Sequence, residues 1–217
     1  MILFGSTFSP FVRKVAAYCA EKGLEYENVI TRFDNPEPDF LAASPFRKIP
    51  ALKDGDVMLA DSSAIIHYLE AKHPEPALIP ADPAMRGRTI FFEEVADTIV
   101  VACGAKIFFN RIVAPYFLGR EGDLAAADTA ERDELPPLLD KVEDLVPANG
   151  FLVGDSLTLA DLALASPFAN FRHLGLHIDP AKWPKLASFA DRILARPSFS
   201  GLVAQEEQIL QAFAPAA

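Results

Sequence analysis

Strand signals in this chain stop at Leu59, and the chain beyond Pro83 reads as helix throughout. A chain that uses its strands early and only helices later builds a mixed α/β unit joined to an all-helical one, because a sheet needs strands along the chain to keep growing. The early part begins with Ile2-Leu3-Phe4, a short apolar strand, and turns helical from Pro10, with Phe11, Val15, Tyr18 and Cys19 three and four apart. Lys22-Gly23 marks the helix stop. Tyr26 to Ile30 reads as a second strand, and Asn35, Pro36 and Pro38 as a loop with one helical turn at Phe40-Leu41-Ala42. Ala51-Leu52 and Val57-Met58-Leu59 flank Lys53-Asp54-Gly55-Asp56, which reads as a hairpin with an Asp-Gly turn. Asp61-Ser62 then caps a helix carrying Ile65, Ile66 and Leu69. The order β-α-β-(α)-β-β-α predicts a small mixed sheet covered by helices on both faces.

Prolines at 74, 76, 80 and 83 break this pattern. The predicted division is 1–76 as the mixed domain, 77–84 as linker and 85–217 as a helical bundle. Within the bundle the periodic stretches are Met85 to Leu118, Leu124 to Val146 with a proline pair at Pro136-Pro137, Leu159 to Leu174, Lys182 to Ala195 and Phe199 to Phe213. Thr158-Leu-Ala-Asp161, with Leu157 and Leu162 flanking it, is a capping-box start.

The 30 acidic and 20 basic residues give a net charge of −10, which argues against a nucleic-acid partner. No unbroken run of about 18 apolar residues is present, so no membrane span is expected. Cys19 and Cys103 form no metal-type or redox pair and are expected as free thiols in a reducing, cytoplasmic compartment. His173 and His177 are four apart, but Gly175 separates them and no further ligands accompany them, so no metal is expected.

Four segments carry a resemblance. Ser9-Pro10-Phe11-Val12-Arg13 is similar to the start of the first helix in serine-type bacterial and plant tau-like glutathione transferases. Lys48-Ile49-Pro50-Ala51-Leu52 is similar to that family's cis-proline segment. Asp61-Ser62-Ser63 is similar to its acid-serine pair, and Gly154-Asp155 through Thr158 to Asp161 to its capping motif. In this order, across nearly the whole chain, they resemble the cytosolic glutathione S-transferase family. The resemblance implies an α/β plus all-α architecture, with a thioredoxin-like N-terminal domain and a C-terminal helical bundle. It also implies a homodimer and a detoxifying enzyme that takes glutathione as co-substrate and attacks a small hydrophobic electrophile entering between the halves; the alternatives are a narrower glutathione-dependent lyase, dehalogenase or isomerase, or a non-enzymatic scaffold on the same fold.

Residue by residue, the resemblance makes Ser9 the catalytic hydroxyl at the glutathione sulfur. Phe11, Arg47, Lys48, Ile49, Pro50, Asp61 and Ser62 become glutathione contacts. A cis bond before Pro50 would present the Ile49 backbone to the peptide, and Ser62 and Asp61 would hold the γ-glutamyl end. Arg47 and Lys48 would meet the glycyl carboxylate. The residues also have plainer readings. Ser9 and Asp61 are good helix caps, Pro50 is an acceptable strand start, Arg47 and Lys48 suit solvent, and Ser6 and Thr7 compete with Ser9 for the sulfur. Phe108, Phe109 and Tyr116 are candidates to line the second-substrate pocket, against the alternative that a helical aromatic stripe is core.

Overall fold

The computed structural model describes residues 1–31 and 34–213. The chain divides into two compact units, Met1–Pro80 and Ala81–Ala217. In the first, β1 (Ile2–Phe4) pairs parallel with β2 (Glu27–Val29) and antiparallel with β3 (Ala51–Asp54), which pairs antiparallel with β4 (Val57–Ala60). The sheet order is therefore β2-β1-β3-β4. Three helices accompany it: α1 (Pro10–Glu21), α2 (Pro38–Ala43) and α3 (Ser62–Lys72). Phe4 packs its ring 6.0 Å from that of Phe40 on α2, and Ala43 and Ala51 complete that cluster. Val12, Val15, Ala16 and Cys19 of α1 and Ile65, Ile66 and Leu69 of α3 are all buried.

The sheet is the predicted one, with small differences of boundary. The hairpin turn is Gly55-Asp56, not Asp54-Gly55: Asp54 still pairs with Val57, and Gly55 takes the positive φ (+61) that a two-residue hairpin needs. Helices start at prolines more often than the periodicity alone indicates. Proline opens α1, α2 and three helices of the second unit, since its missing N–H has no helical acceptor at that position anyway.

A buried network ties α1 and α3 to the segment after α3. Glu70 on α3 is nine-tenths buried and accepts from the Tyr18 hydroxyl and from Lys22, whose Nζ lies 2.7 Å away. Its other oxygen accepts the Leu78 and Ile79 N–H groups, both at 3.0 Å. Lys22 Nζ also donates to the carbonyls of His73 (2.6 Å) and Pro76 (2.7 Å). Burial raises the Glu70 carboxyl, but the bonds from Lys22, Tyr18 and Ile79 outweigh it and hold the group below the usual glutamate value.

The second unit contains α4 (Pro83–Phe117), α5 (124–145), α6 (Leu159–His173), α7 (Pro184–Leu194) and α8 (Pro197–Phe213). In the long α4, regular turns alternate with wider ones, as where the Val101 N–H reaches back five residues to the Ala96 carbonyl. The segment 109–117 is wide in the same way and absorbs Pro115. The helix α4 is long and apolar enough to cross a membrane by length and composition, and 44% of its most apolar stretch is buried within the structure. In α5 the Leu135 N–H likewise reaches the Ala130 carbonyl, just before Pro136-Pro137.

Residues Leu159 to Phe171 of α6 are all buried. Gly104 lets α4 approach it, since a Cβ there would stand 2.9 Å from the Phe171 ring. The expected capping box holds the start of α6: Asp161 accepts the N–H of Thr158 (2.9 Å) and its hydroxyl (3.1 Å), and also the Leu152 N–H (2.9 Å). Burial pushes the Asp161 carboxyl above the usual aspartate value against the pull of those donors. His173 closes α6 and lies 2.7 Å from Glu206 of α8, both side chains fully buried, while His177 is exposed beyond the helix. Among the described residues no group of three or more His, Cys, Asp or Glu could hold a metal ion.

Candidate functional site

Sheet register brings three separate segments to one end of the first unit. Phe4 pairs with Ala51, and Ala51 pairs with Ala60. The residues just past that row are therefore Gly5 to Ser9 after β1, Ile49-Pro50 before β3 and Asp61-Ser62 after β4. Gly5 sets how closely the first two approach. It has φ +128, and a Cβ there would stand 2.7 Å from Val12 Cγ2 and 3.0 Å from Ile49 Cβ. Its backbone is held by its own N–H to Val29 O (2.9 Å) and by Asn28 Nδ2 to its carbonyl (3.0 Å).

Ser9 is the N-cap residue of α1 by backbone geometry, with its carbonyl accepting the Arg13 N–H at 2.9 Å. Its side chain makes no capping hydrogen bond, contrary to the usual behaviour of a serine at this position. The Phe11 and Val12 N–H groups accordingly have no protein acceptor among the described residues. Of the competing hydroxyls, Ser6 Oγ accepts the Phe8 N–H at 3.4 Å, and Thr7 is half-buried. Phe11 is half-buried in the first turn of α1.

The Ile49–Pro50 peptide is cis. The loop before it is clamped by Ser44, whose hydroxyl donates to Lys48 O (2.7 Å) and accepts the Lys48 N–H (2.8 Å). Arg47 has φ +54, and its side chain and that of Lys48 are exposed. The Ile49 N–H and C=O have no protein partner among the described residues.

Asp61, at φ +81, caps α3: one carboxylate oxygen accepts the N–H groups of Ser63 (2.9 Å) and Ala64 (3.2 Å). The second oxygen takes neither. Ser62 is 3% exposed, and its N–H has no protein acceptor among the described residues. Among the described residues, one end of the sheet thus gathers two helix N-termini with unpaired N–H groups, the uncapping Ser9 hydroxyl and the unpaired backbone of Ile49. The helix ends suit anions, and the free backbone at Ile49 suits a short peptide.

The aromatic candidates in the second unit separate. Phe108 is only 5% exposed and belongs to the core, because it falls on the inward side of α4. Phe109 (39%) and Tyr116 (38%) are exposed, and so is Phe117 (41%), which periodicity alone did not single out. Tyr116 and Phe117 both meet Phe213, an interaction between distant chain positions with no local sequence signal.

Family models for the glutathione S-transferase N-terminal domain and C-terminal domain match residues 3–77 and 105–197. Glutathione S-transferase 3 of Zea mays is 34% identical over 209 residues, covering 93% of this chain and 92% of its own length. A structure of glutathione S-transferase I bound with lactoylglutathione superposes with a TM-score of 0.81 at 26% identity, covering 94% of this chain and 98% of that one. A glutathione S-transferase from Methylobacterium radiotolerans, in complex with glutathione sulfonate, superposes with a TM-score of 0.75 at 29% identity, covering 93% of each chain. The fold is thus a thioredoxin-like unit followed by a helical one. The chain belongs to the glutathione S-transferase family.

Proposed function

We propose that in this glutathione transferase Ser9 donates a hydrogen bond to the glutathione sulfur and holds it as thiolate, the nucleophile that attacks a small hydrophobic electrophile. The observation that carries this reading is the Ser9 hydroxyl itself: it stands at the start of α1 yet caps nothing. A free thiol with pKa about 8.5 is only about 3% ionised at pH 7. Lowering that pKa by about two units corresponds to roughly 2.7 kcal/mol and makes thiolate the major form. A hydrogen bond to a charged acceptor, worth about 1.5–3 kcal/mol, is of the right size. The uncapped N–H groups of Phe11 and Val12 add the positive end of the helix dipole.

The rest of glutathione follows the register. The cysteinyl backbone pairs with Ile49 beside Pro50. The γ-glutamyl carboxylate takes the Ser62 hydroxyl and N–H, and the ammonium takes the second oxygen of Asp61. Arg47 and Lys48 meet the glycyl carboxylate, and Phe11 lies beside the sulfur. The electrophile rests against Phe109 and Tyr116 of the helical unit. The protein works as a homodimer in the cytoplasm. Exposed Phe46 (88%) in the first unit, and Phe91 (48%) and Ile99 (50%) in the second, are apolar surface for a second copy to cover. Both cysteines are free and buried, in keeping with a reducing compartment.

The deciding measurement is thiolate absorbance of the binary glutathione complex against pH, for wild type and for Ser6→Ala, Thr7→Ala and Ser9→Ala. Ser9→Ala is expected to raise the pKa of bound glutathione by about one to two units, from the hydrogen-bond energy above, with affinity little changed. A titration unmoved in Ser9→Ala but shifted in Ser6→Ala or Thr7→Ala would assign the role to another hydroxyl.

A further inference from the structure

Helices α6 and α7 each place an apolar side chain one turn before a charged one. On α6 these are Phe168 and Arg172, and on α7 Ala187 and Asp191; residues four apart share one face of a helix. The two charged groups meet, with Arg172 Nη2 lying 2.6 Å from Asp191 Oδ1. Beneath them is a cavity of about 130 Å³.

Packing explains the cavity. Ala187 and Ala190 are the α7 side chains that line it, and each brings only a methyl group toward Phe168. The Phe168 ring is held edge-on by Phe171, at 5.5 Å and 65°. Helix α6 ends in a turn with Gly175 at φ +71, where the Gly175 N–H reaches Arg172 O and the Leu176 N–H reaches Phe171 O, both at 2.9 Å. That reversal brings Leu176 and Ile178 to the cavity as its third wall. Phe168 and Ala190 are buried, so the floor is apolar, whereas Arg172, Asp191 and His177 stand at the mouth.

The charges of Arg172 and Asp191 cancel, and solvent reaches both: the Asp191 side chain is 79% exposed and that of Arg172 33%. Such a pair holds weakly, so a ligand can exchange it for pairs of its own. A lone carboxylate would meet Arg172 but sit against Asp191. A lone amine would meet Asp191 but sit against Arg172. A ligand with both charges satisfies both, and a guanidinium has donors enough for two carboxylate oxygens. An apolar cavity of about 150 Å³ takes a benzene ring, so this one matches a single phenyl or isobutyl group.

We propose that this cavity binds a free α-amino acid with an apolar side chain. The carboxylate takes Arg172 and a hydrogen bond from the His177 ring, the ammonium takes Asp191, and the side chain fills the space between Phe168 and the two alanines. The site lies wholly within the helical unit and uses no residue assigned to glutathione. It goes beyond the transferase reading and does not rest on it.

The test is an amide NMR titration of the full chain with L-phenylalanine, without glutathione. It runs to about 20 mM, well above the roughly millimolar Kd that a ligand of about a dozen atoms reaches at drug-like efficiency. Saturable shifts are expected at the amides of Leu176, His177, Ala190 and Asp191. Phenylpropionate lacks the ammonium and phenethylamine lacks the carboxylate; each should bind about 10-fold more weakly, the factor of one charged hydrogen bond. Arg172→Gln should weaken phenylalanine by about the same factor and leave phenethylamine no weaker. Asp191→Asn should weaken phenylalanine likewise, while phenylpropionate binds at least as well as to wild type. Ala190→Leu, which fills the floor, should abolish binding of all three.

No saturable shift with phenylalanine, or shifts centred elsewhere on the chain, would overturn the site. Equal affinity for phenylpropionate or phenethylamine would overturn the choice of an amino acid, and so would wild-type affinity in both Arg172→Gln and Asp191→Asn. Because the titration needs no glutathione, its failure leaves the Ser9 measurement untouched, and failure of that measurement leaves this one standing.

Discussion

Replacing Glu70 by alanine tests what holds the glutathione-binding unit together behind its site. The carboxylate is acceptor for the Tyr18 hydroxyl, the Lys22 ammonium and two backbone N–H groups, and the Lys22 side chain is fully buried. Glu70→Ala leaves that ammonium with the His73 and Pro76 carbonyls and the Tyr18 ring face, and no counter-charge among the described residues. Breaking a buried pair from one side costs about 3–5 kcal/mol, since a charge remains without its counter-charge. The orphaned Leu78 and Ile79 N–H groups place the expected loss at the upper end of that range. Lys22→Met should cost less, because it removes the buried charge and leaves Glu70 its three other donors. The two substitutions should be strongly non-additive.

Urea unfolding followed by far-UV circular dichroism reads these differences, with the single and double variants compared at one pH. The sign of the pH dependence comes from the direction of the Glu70 shift. Its folded value lies below 4.5, so the unfolded chain takes up the proton first as pH falls. The contribution is therefore present above pH 4.5 and is lost as pH drops through the depressed folded value. A loss below about 1 kcal/mol in Glu70→Ala would refute the reasoning, since surface pairs reach that figure without burial. So would additivity with Lys22→Met.

Asp61→Ala should weaken glutathione binding by about 10-fold or more, from a charged hydrogen bond of about 1.5–3 kcal/mol, with little effect on the pKa of bound thiol. Calorimetric titration showing an unchanged dissociation constant would leave Asp61 as the α3 cap alone. Gly5→Ala should lower both stability and glutathione affinity, because its new Cβ would press on Val12 and Ile49 from 2.7 and 3.0 Å; wild-type affinity in that variant would show that the two loops adjust freely. Cys19 should resist alkylation in the native protein, since burial pushes its thiol up to about 12. Mass spectrometry after iodoacetamide treatment, with and without denaturant, reads this, and modification of native Cys19 at the denatured rate would contradict it.

The division into a mixed unit and a helical unit was legible from the chain alone, because period-two and period-three-to-four patterns are local and burial enforces them. So was the capping box at Thr158 and Asp161, whose donors and acceptors lie within one turn. Resemblance, not pattern, pointed to Ser9, Pro50 and Asp61, since each fits an ordinary cap or strand start equally well. Only the tertiary structure distinguished a serine that caps from one that does not: the difference is where one hydroxyl points, and no spacing encodes it. The same holds for Phe108 and Phe109, adjacent in sequence, of which one is core and the other surface. It holds too for Glu70, whose partners come from positions 18, 22, 78 and 79, and for Phe213 on Tyr116. Those contacts join positions far apart along the chain, and only packing decides which of many apolar or polar side chains meet.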